Sequence, residues 1–311
     1  MKFLKYSKWQ KLSKTHMLSK RPILAWVLLL ALSLIWGSSF ILIKRGLLQL
    51  SFFEVGSLRI LAASVFMLPI VAIRIRRVKK KHILYLISIG FIGSLIPAFL
   101  FAIAQTRLPS GVTGVLNALT PLFTMLVGYL IYKQRQTFRV FYGVLIGFIG
   151  TVVLVIASSG GSFTNINFYA FFVILATLMY AFNINIIKYH LQELSSLTIT
   201  SVSLFIVGPI AAIQLFGFTD FSSRVIADPA VMHAAGFIVL LGVLGTAIAL
   251  IIFNRLVSLT DPVFTSSVTY IIPIVAVIWG LWDGEMLFLA HYIGIAAILL
   301  GVYVANAARK A

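Results

Sequence analysis

Apolar residues in this chain do not alternate with polar ones at the period of a strand, and they do not keep to one face of a helix. They run on for about twenty positions at a time, the length of a bilayer-spanning helix, before a charged or turn-forming break. Ten such runs are legible, at 22–43, 51–73, 83–104, 110–132, 138–158, 167–187, 196–216, 233–253, 262–282 and 286–307. The breaks are short except for 217–232, "GFTDFSSRVIADPAVM", which reads as a segment along the interface or a short helix. No connection is long enough for a soluble domain. The pattern predicts an all-α integral membrane protein of ten transmembrane helices.

Composition sharpens this reading. Of 311 residues, 61% are hydrophobic and only 10% charged, with a mean hydropathy of +1.07. Soluble domains sit nearer 45–50% apolar and about 25% charged. There is no cysteine, which excludes disulfides, thiol catalysis and cysteine–zinc sites.

The formal net charge of +18 invites a nucleic-acid reading, but the placement of the charges argues against one. Residues 1–21 carry seven basic residues and no acid, then lead directly into a run long enough to span, so they read as a basic tail before an uncleaved first helix. The lysines at 2, 5, 8, 11 and 14 drift around a helix, which favours a solvated tail over an anchoring amphipathic helix. If the N-terminus is cytoplasmic, the inner segments hold twenty basic residues and the outer loops four. By the positive-inside rule both termini are then cytoplasmic, in the plasma membrane. The run Arg74 to His82, "RIRRVKKKH", is a topology signal, and no nucleic-acid partner is expected.

The chain also resembles itself. "IWGSSFILIKRGL" (Ile35 to Leu47) aligns with "MYAFNINIIKYHL" (Met179 to Leu191), and "TGVLNALTPLF" (Thr113 to Phe123) with "TSSVTYIIPIV" (Thr265 to Val275). Gly143 and Gly150 in the fifth run repeat as Gly294 and Gly301 in the tenth, a spacing suited to close helix packing between the halves or between two protomers. Five spans per repeat is an odd number, so the second repeat enters the membrane upside down. The expected organisation is a tail at 1–21, a first repeat at 22–158 and an inverted second repeat at 167–307. Inverted repeats are the architecture of alternating-access carriers.

From about residue 22 to 307 the chain resembles the EamA branch of the drug/metabolite transporter superfamily. The resemblance rests on "WGSSFILIKRGL", "LRILAA" (Leu58 to Ala63), "TPLFTMLVGYLIYKQR" and "YIIPIVAVIWGLWDGE". The family closes the last pattern with a glycine–glutamate pair in both halves. Gly284-Glu285 fits, whereas the first half has Lys133-Gln134-Arg135. The resemblance implies transport of amino acids, their derivatives, nucleotide-sugar-like metabolites or amphipathic drugs.

The repeated "TGVLNALTPLF" places polar groups where lipid penalises them unless they line a cavity or bond to protein. Thr113, Asn117 and Pro121 are four apart, as are Thr265, Thr269 and Pro273, so each set shares a helix face. Each proline also frees the carbonyl four residues earlier, at Asn117 and Thr269. These residues and Tyr270 are candidate solute contacts, with Pro121, Pro273 and Pro97 as helix kinks. Trp36, Ser39, Tyr180 and Asn183 add aromatic faces beside hydrogen-bonding groups, suited to an amphipathic or cationic solute; Trp36 and Tyr180 also suit interfacial anchoring. Arg59 is the one basic residue well inside a span, either structural or part of the path. Glu54, five residues earlier, is poorly placed to pair with it.

No acid lies near the middle of any span, which leaves a carboxylate proton relay unsupported and favours uniport or gradient-driven export. There is no phosphate-binding glycine loop, no catalytic constellation and no metal-ligand cluster, so no cofactor is expected. The expectation is a transporter, an exporter of a neutral or zwitterionic metabolite such as an amino acid or derivative. Its partners are a small-molecule substrate and the lipid bilayer, as monomer or homodimer. Efflux of cationic amphiphiles and an intramembrane enzyme are the alternatives.

Overall fold

The computed structural model of the chain describes residues 22–108, 110–134, 136–158, 168–282 and 289–307. The basic tail 1–21 and the pair Gly284-Glu285 lie outside them. Among the described residues the chain is helical and contains no strand.

Helix α1 runs Pro22–Gly37 and continues after a turn at Ser38 as Ser39–Gly46. It is followed by α2 (Phe52–Arg74), α3 (Lys80–Gln105), α4 (Ser110–Asn117, then Thr120–Leu130) and α5 (Phe138–Ser158). The remaining segments are α6 (Ala170–His190), α7 (Ser196–Gly217), α8 (Pro229–Leu259), α9 (Pro262–Ser266, then Val268–Trp282) and α10 (Leu289–Ala307). Six continuous stretches are long and apolar enough to cross a bilayer: those of α1, α2, α3, α6, α7 and α8. Helices α4 and α9 are each interrupted, at Ala118–Leu119 and at Ser267. The loop 217–232 contains one short helix, Phe221–Ala227.

Local chemistry explains the ends. Ser51 and Glu54 form a capping box at the start of α2: the Ser51 hydroxyl accepts from the Glu54 N–H at 3.2 Å, and the Glu54 carboxylate from the Ser51 N–H at 2.7 Å. Ser195 caps α7 in the same way, accepting from the Thr198 N–H. Asp228 and Asp261 cap α8 and the first piece of α9.

Side chains from the connections tie the ends of the bundle together. Lys81 bonds Glu193 at 2.5 Å, and this hydrogen bond holds the Glu193 carboxyl below its ordinary range. Lys188 donates to the carbonyls of Val257 and Thr260. The connections α2–α3, α6–α7 and α8–α9 therefore share one end. At the other end Arg224 of the loop helix bridges Glu54 at 3.0 Å and the Gln49 carbonyl at 2.6 Å, joining the connections α1–α2 and α7–α8.

Helices α5 and α10 meet backbone to backbone. A Cβ on Gly143 would come within 2.3 Å of the Ala305 nitrogen, and one on Gly301 within 2.3 Å of the Gly147 nitrogen. These glycine stripes are thus used inside one chain, where its two halves meet. Large apolar side chains such as Ile73, Phe138 and Tyr303 point outward, as a lipid-facing surface requires.

Candidate functional site

A cavity of about 90 Å³, counted as room for the centre of a water molecule, lies between α1, α2, α3, α4, α6, α8 and α9. Tyr180 on its wall is ten residues into the twenty-one of α6, so the cavity sits near mid-span.

Two of the helices that build it are not regular. The α-helical ladder of α3 widens to π geometry at Phe91–Leu95, and that of α8 at Leu241–Ile248. Such wide turns release backbone groups and recur at functional sites. The indole N–H of Trp36 donates to the Gly245 carbonyl in one of them at 3.0 Å.

The contacts around the cavity come in pairs. A Cβ on Gly93 of α3 would strike the Asn183 amide of α6 at 2.5 Å, and one on Gly245 of α8 would strike the Ser39 hydroxyl of α1 at 2.9 Å. Phe101 of α3 stacks on Tyr180 of α6 at 5.9 Å between ring centres, while Phe253 of α8 lies against Trp36 of α1 at 5.3 Å. Gly90 of α3 abuts the Ser203 carbonyl of α7, and Gly242 of α8 abuts the Arg59 carbonyl of α2.

Of the residues singled out from the sequence, Trp36, Ser39, Arg59, Asn117, Tyr180, Asn183 and Thr269 line this cavity. Thr113, Thr265 and Tyr270 are buried but are not among its lining residues. The Thr265 hydroxyl bonds that of Thr260 at 2.8 Å, and the Tyr270 hydroxyl donates to the Val144 carbonyl of α5 at 2.8 Å while its ring packs on Gly147.

The prolines do not leave both carbonyls open as their spacing suggests. In α4 the helix breaks at Ala118–Leu119 and restarts with Pro121 in its first turn, but the Asn117 carbonyl is not left open. The Thr120 hydroxyl donates to it at 2.7 Å. In α9 the break is at Ser267, and Pro273 sits within the continuing helix. Pro97 stands directly after the wide segment, and α3 continues through it to Gln105.

Arg59 is half-buried on the cavity wall, and its Nε donates to the Thr246 hydroxyl at 2.8 Å. Glu54, withdrawn from water at 1% exposure, is held by Arg224 and the capping box and takes no part in the cavity.

The chain matches the EamA-like transporter family twice, over residues 23–156 and 167–307. It belongs to that family. Its relatives include an uncharacterized transporter of Archaeoglobus fulgidus, 25% identical over 90% of this chain and 97% of that one. The uncharacterized inner membrane transporter YedA of Escherichia coli K12 is 25% identical over 88% of each chain, and the uncharacterized transporter YdfC of Bacillus subtilis 27% identical over 86% of each. A protein of known crystal structure, 16% identical, superposes with a TM-score of 0.70 over 92% of this chain and 97% of that one, which establishes the fold alone. This EamA chain is a multi-pass membrane transporter.

Sequence reasoning missed the cavity's glycines and the phenylalanines Phe101 and Phe253. A signal was present: "GFIGS" (Gly90 to Ser94) recurs as "GVLGT" (Gly242 to Thr246), displaced by the same 152 positions that separate Thr113 from Thr265. Lys133 adopts φ 52° at the end of α4, a left-handed position where a glycine would carry no Cβ penalty.

Proposed function

We propose that this transporter exports a small organic metabolite, neutral or zwitterionic such as an amino acid or derivative, by alternating access. The two five-helix repeats, 22–158 and 167–307, are arranged as inverted copies across ten spans in the plasma membrane, with both termini cytoplasmic. The observation that carries the reading is the paired set of contacts around one mid-span cavity: the contacts of Gly90, Gly93 and Phe101 in α3 on α6 and α7 have counterparts in those of Gly242, Gly245 and Phe253 in α8 on α1 and α2. A cavity walled by both repeats can open to either side as one repeat rocks on the other. The family and its transporter-named relatives favour transport over catalysis.

The test uses purified protein in proteoliposomes and a panel of labelled metabolites, with and without a pH gradient. Flux is expected without a gradient, and a strict proton requirement overturns the uncoupled mechanism. Asn117→Leu should weaken binding of the transported solute roughly 5- to 150-fold, the loss of about 1–3 kcal/mol expected for a buried hydrogen bond, with an unchanged melting temperature. Unchanged affinity removes α4 from the solute site. Because the chain has no cysteine, a single cysteine at Gly160 reports sidedness, and labelling from the outside is expected. Labelling only from the cytoplasm overturns the inverted arrangement.

A further inference from the structure

We propose that Arg59 anchors a carboxylate of the transported solute, so that the cavity accepts zwitterions and monocarboxylates and rejects cations. This rests on the cavity being the transport site and names the solute class that the site takes.

Arg59 is the sole charged side chain among the described residues that line the cavity. A guanidinium offers five N–H donors and no acceptor. Its Nε–H is used by the Thr246 hydroxyl, a neutral partner. The four N–H groups of the two terminal nitrogens form the fork that matches a carboxylate in bidentate geometry.

None of the described residues that line the cavity supplies a counter-ion there. Among the described residues every carboxylate sits at a helix end or in a connection: Glu54 on Arg224, Glu193 on Lys81, Asp228 and Asp261 on the first turns of α8 and α9, and Asp220 before the loop helix. An unpaired charge at this depth is costly, and intramembrane cations are almost always paired or hydrogen-bonded. A solute that brings the carboxylate removes that cost, so its binding energy concentrates on the group that carries the charge. A cationic solute adds like charge and gains nothing from the fork.

The surroundings fit the rest of such a molecule. The Tyr180 phenol lines the same cavity as Arg59 and offers a hydroxyl donor to a bound carboxylate. Trp36 and Phe253 offer an apolar wall, and the Asn117 and Asn183 amides offer acceptors for an ammonium. The repeat itself marks Arg59 as special. Its carbonyl touches Gly242 as the Ser203 carbonyl touches Gly90, so the backbone contact is duplicated while the charge appears on one side only.

The experiment compares wild-type, Arg59→Gln and Arg59→Lys full-length protein. The probes are matched trios: L-leucine, L-leucinamide and 4-methylpentanoate, with the corresponding valine and phenylalanine sets. Binding is read by equilibrium dialysis at neutral pH, and flux in proteoliposomes. In the wild type, carboxylate-bearing members should bind at least tenfold more tightly than the cationic amides. Arg59→Gln should erase that preference by weakening carboxylate binding roughly 10- to 100-fold, and Arg59→Lys should restore part of it. The amino acid against its desamino partner shows whether the solute is a zwitterion or a monoanion. Amides that bind as well as carboxylates, no binding by any carboxylate in the panel, or unchanged carboxylate affinity in Arg59→Gln each overturn the proposal. Flux of any panel member through Arg59→Gln protein with unchanged carboxylate preference removes the anchor and leaves the transporter reading standing; absence of all flux in wild type removes that reading itself. The melting temperature of solute-free Arg59→Gln should hold or rise, since a half-buried charge with no carboxylate beside it among the described residues is replaced by a neutral group. If it falls, carboxylate selectivity in Arg59→Lys decides: retained preference upholds the anchor and lost preference with normal stability overturns it.

Discussion

Helices α3 and α8 perform the same task in opposite halves, and they differ in what they touch. Gly90 and Gly93 lay α3 against Ser203 and Asn183; Gly242 and Gly245 lay α8 against Arg59 and Ser39. The Phe101–Tyr180 pair on one side answers the Phe253–Trp36 pair on the other. The backbone approaches are copied, because only glycine lets two helices come this close. The side chains that line the cavity are copied only in part: Phe101 and Phe253 match, whereas Tyr180 stands where the other half has Trp36, and Asn183 where it has Ser39. The fold is thus held by what the halves share, and solute discrimination falls to what they do not.

The strongest way to break this comparison is to fill the shared contacts. An alanine Cβ at Gly242 would sit 2.6 Å from the Arg59 carbonyl oxygen, and one at Gly90 2.8 Å from that of Ser203; both obstacles are backbone and cannot swing aside. Gly242→Ala and Gly90→Ala should each destabilise by about 1–3 kcal/mol through overpacking, read as matched falls in melting temperature. If one alanine is tolerated and the other is not, the two contacts are not equivalent.

A smaller effect separates the aromatic pair. Trp36→Phe deletes the indole donor to the Gly245 carbonyl and should cost about 1–2 kcal/mol, the penalty of leaving a buried acceptor unpaired. Tyr180→Phe should leave the melting temperature nearly unchanged and lower solute affinity instead. Equal stability losses in the two variants would show that the halves use their aromatics alike.

The smallest effect tests the first half's departure from the family pattern. Lys133→Gly relieves a left-handed backbone position and should stabilise by less than about 1 kcal/mol, because glycine's extra freedom in the unfolded chain offsets part of the relief. A lower melting temperature would mean that the lysine side chain contributes more than its strain costs.

Much of this was legible in the sequence, for physical reasons that also set the limit. Long apolar runs are forced by the bilayer, so the helical segments fall close to the runs, with ends shifted by a few residues. Asn117 and Thr269 were found because mid-span polar groups are costly enough to be conspicuous. Thr265 was placed on the same face as Thr269 by counting at 3.6 residues per turn, and that count fails across the break at Ser267. The proline alone makes the Asn117 carbonyl look free, although its hydroxyl partner, Thr120, stands three residues on. The Glu54–Arg224 bridge spans 170 positions, and no local pattern announces it. The wide turns left no trace in hydropathy, since inserting π geometry changes the register of a helix without changing its composition.

That change of register reaches further than the cavity. Before its wide turn, α8 packs Val231, Ala234 and Ile238 into the cluster built by Leu50, Val55 and Leu58; after it, Phe253, Leu256 and Val257 join Leu29, Ile184 and Phe264. In α3, Leu86 and Ile89 likewise belong with α1 and α6, whereas Leu95 and Ala98 belong with Ile60 and Val207. Each of these helices is a crankshaft: two arms keyed to different blocks of the protein, offset about a single journal. The journals are the wide turns, and Gly93 and Gly245 put them in the cavity wall. A solute seated there touches the two places where the blocks of this transporter are geared to one another.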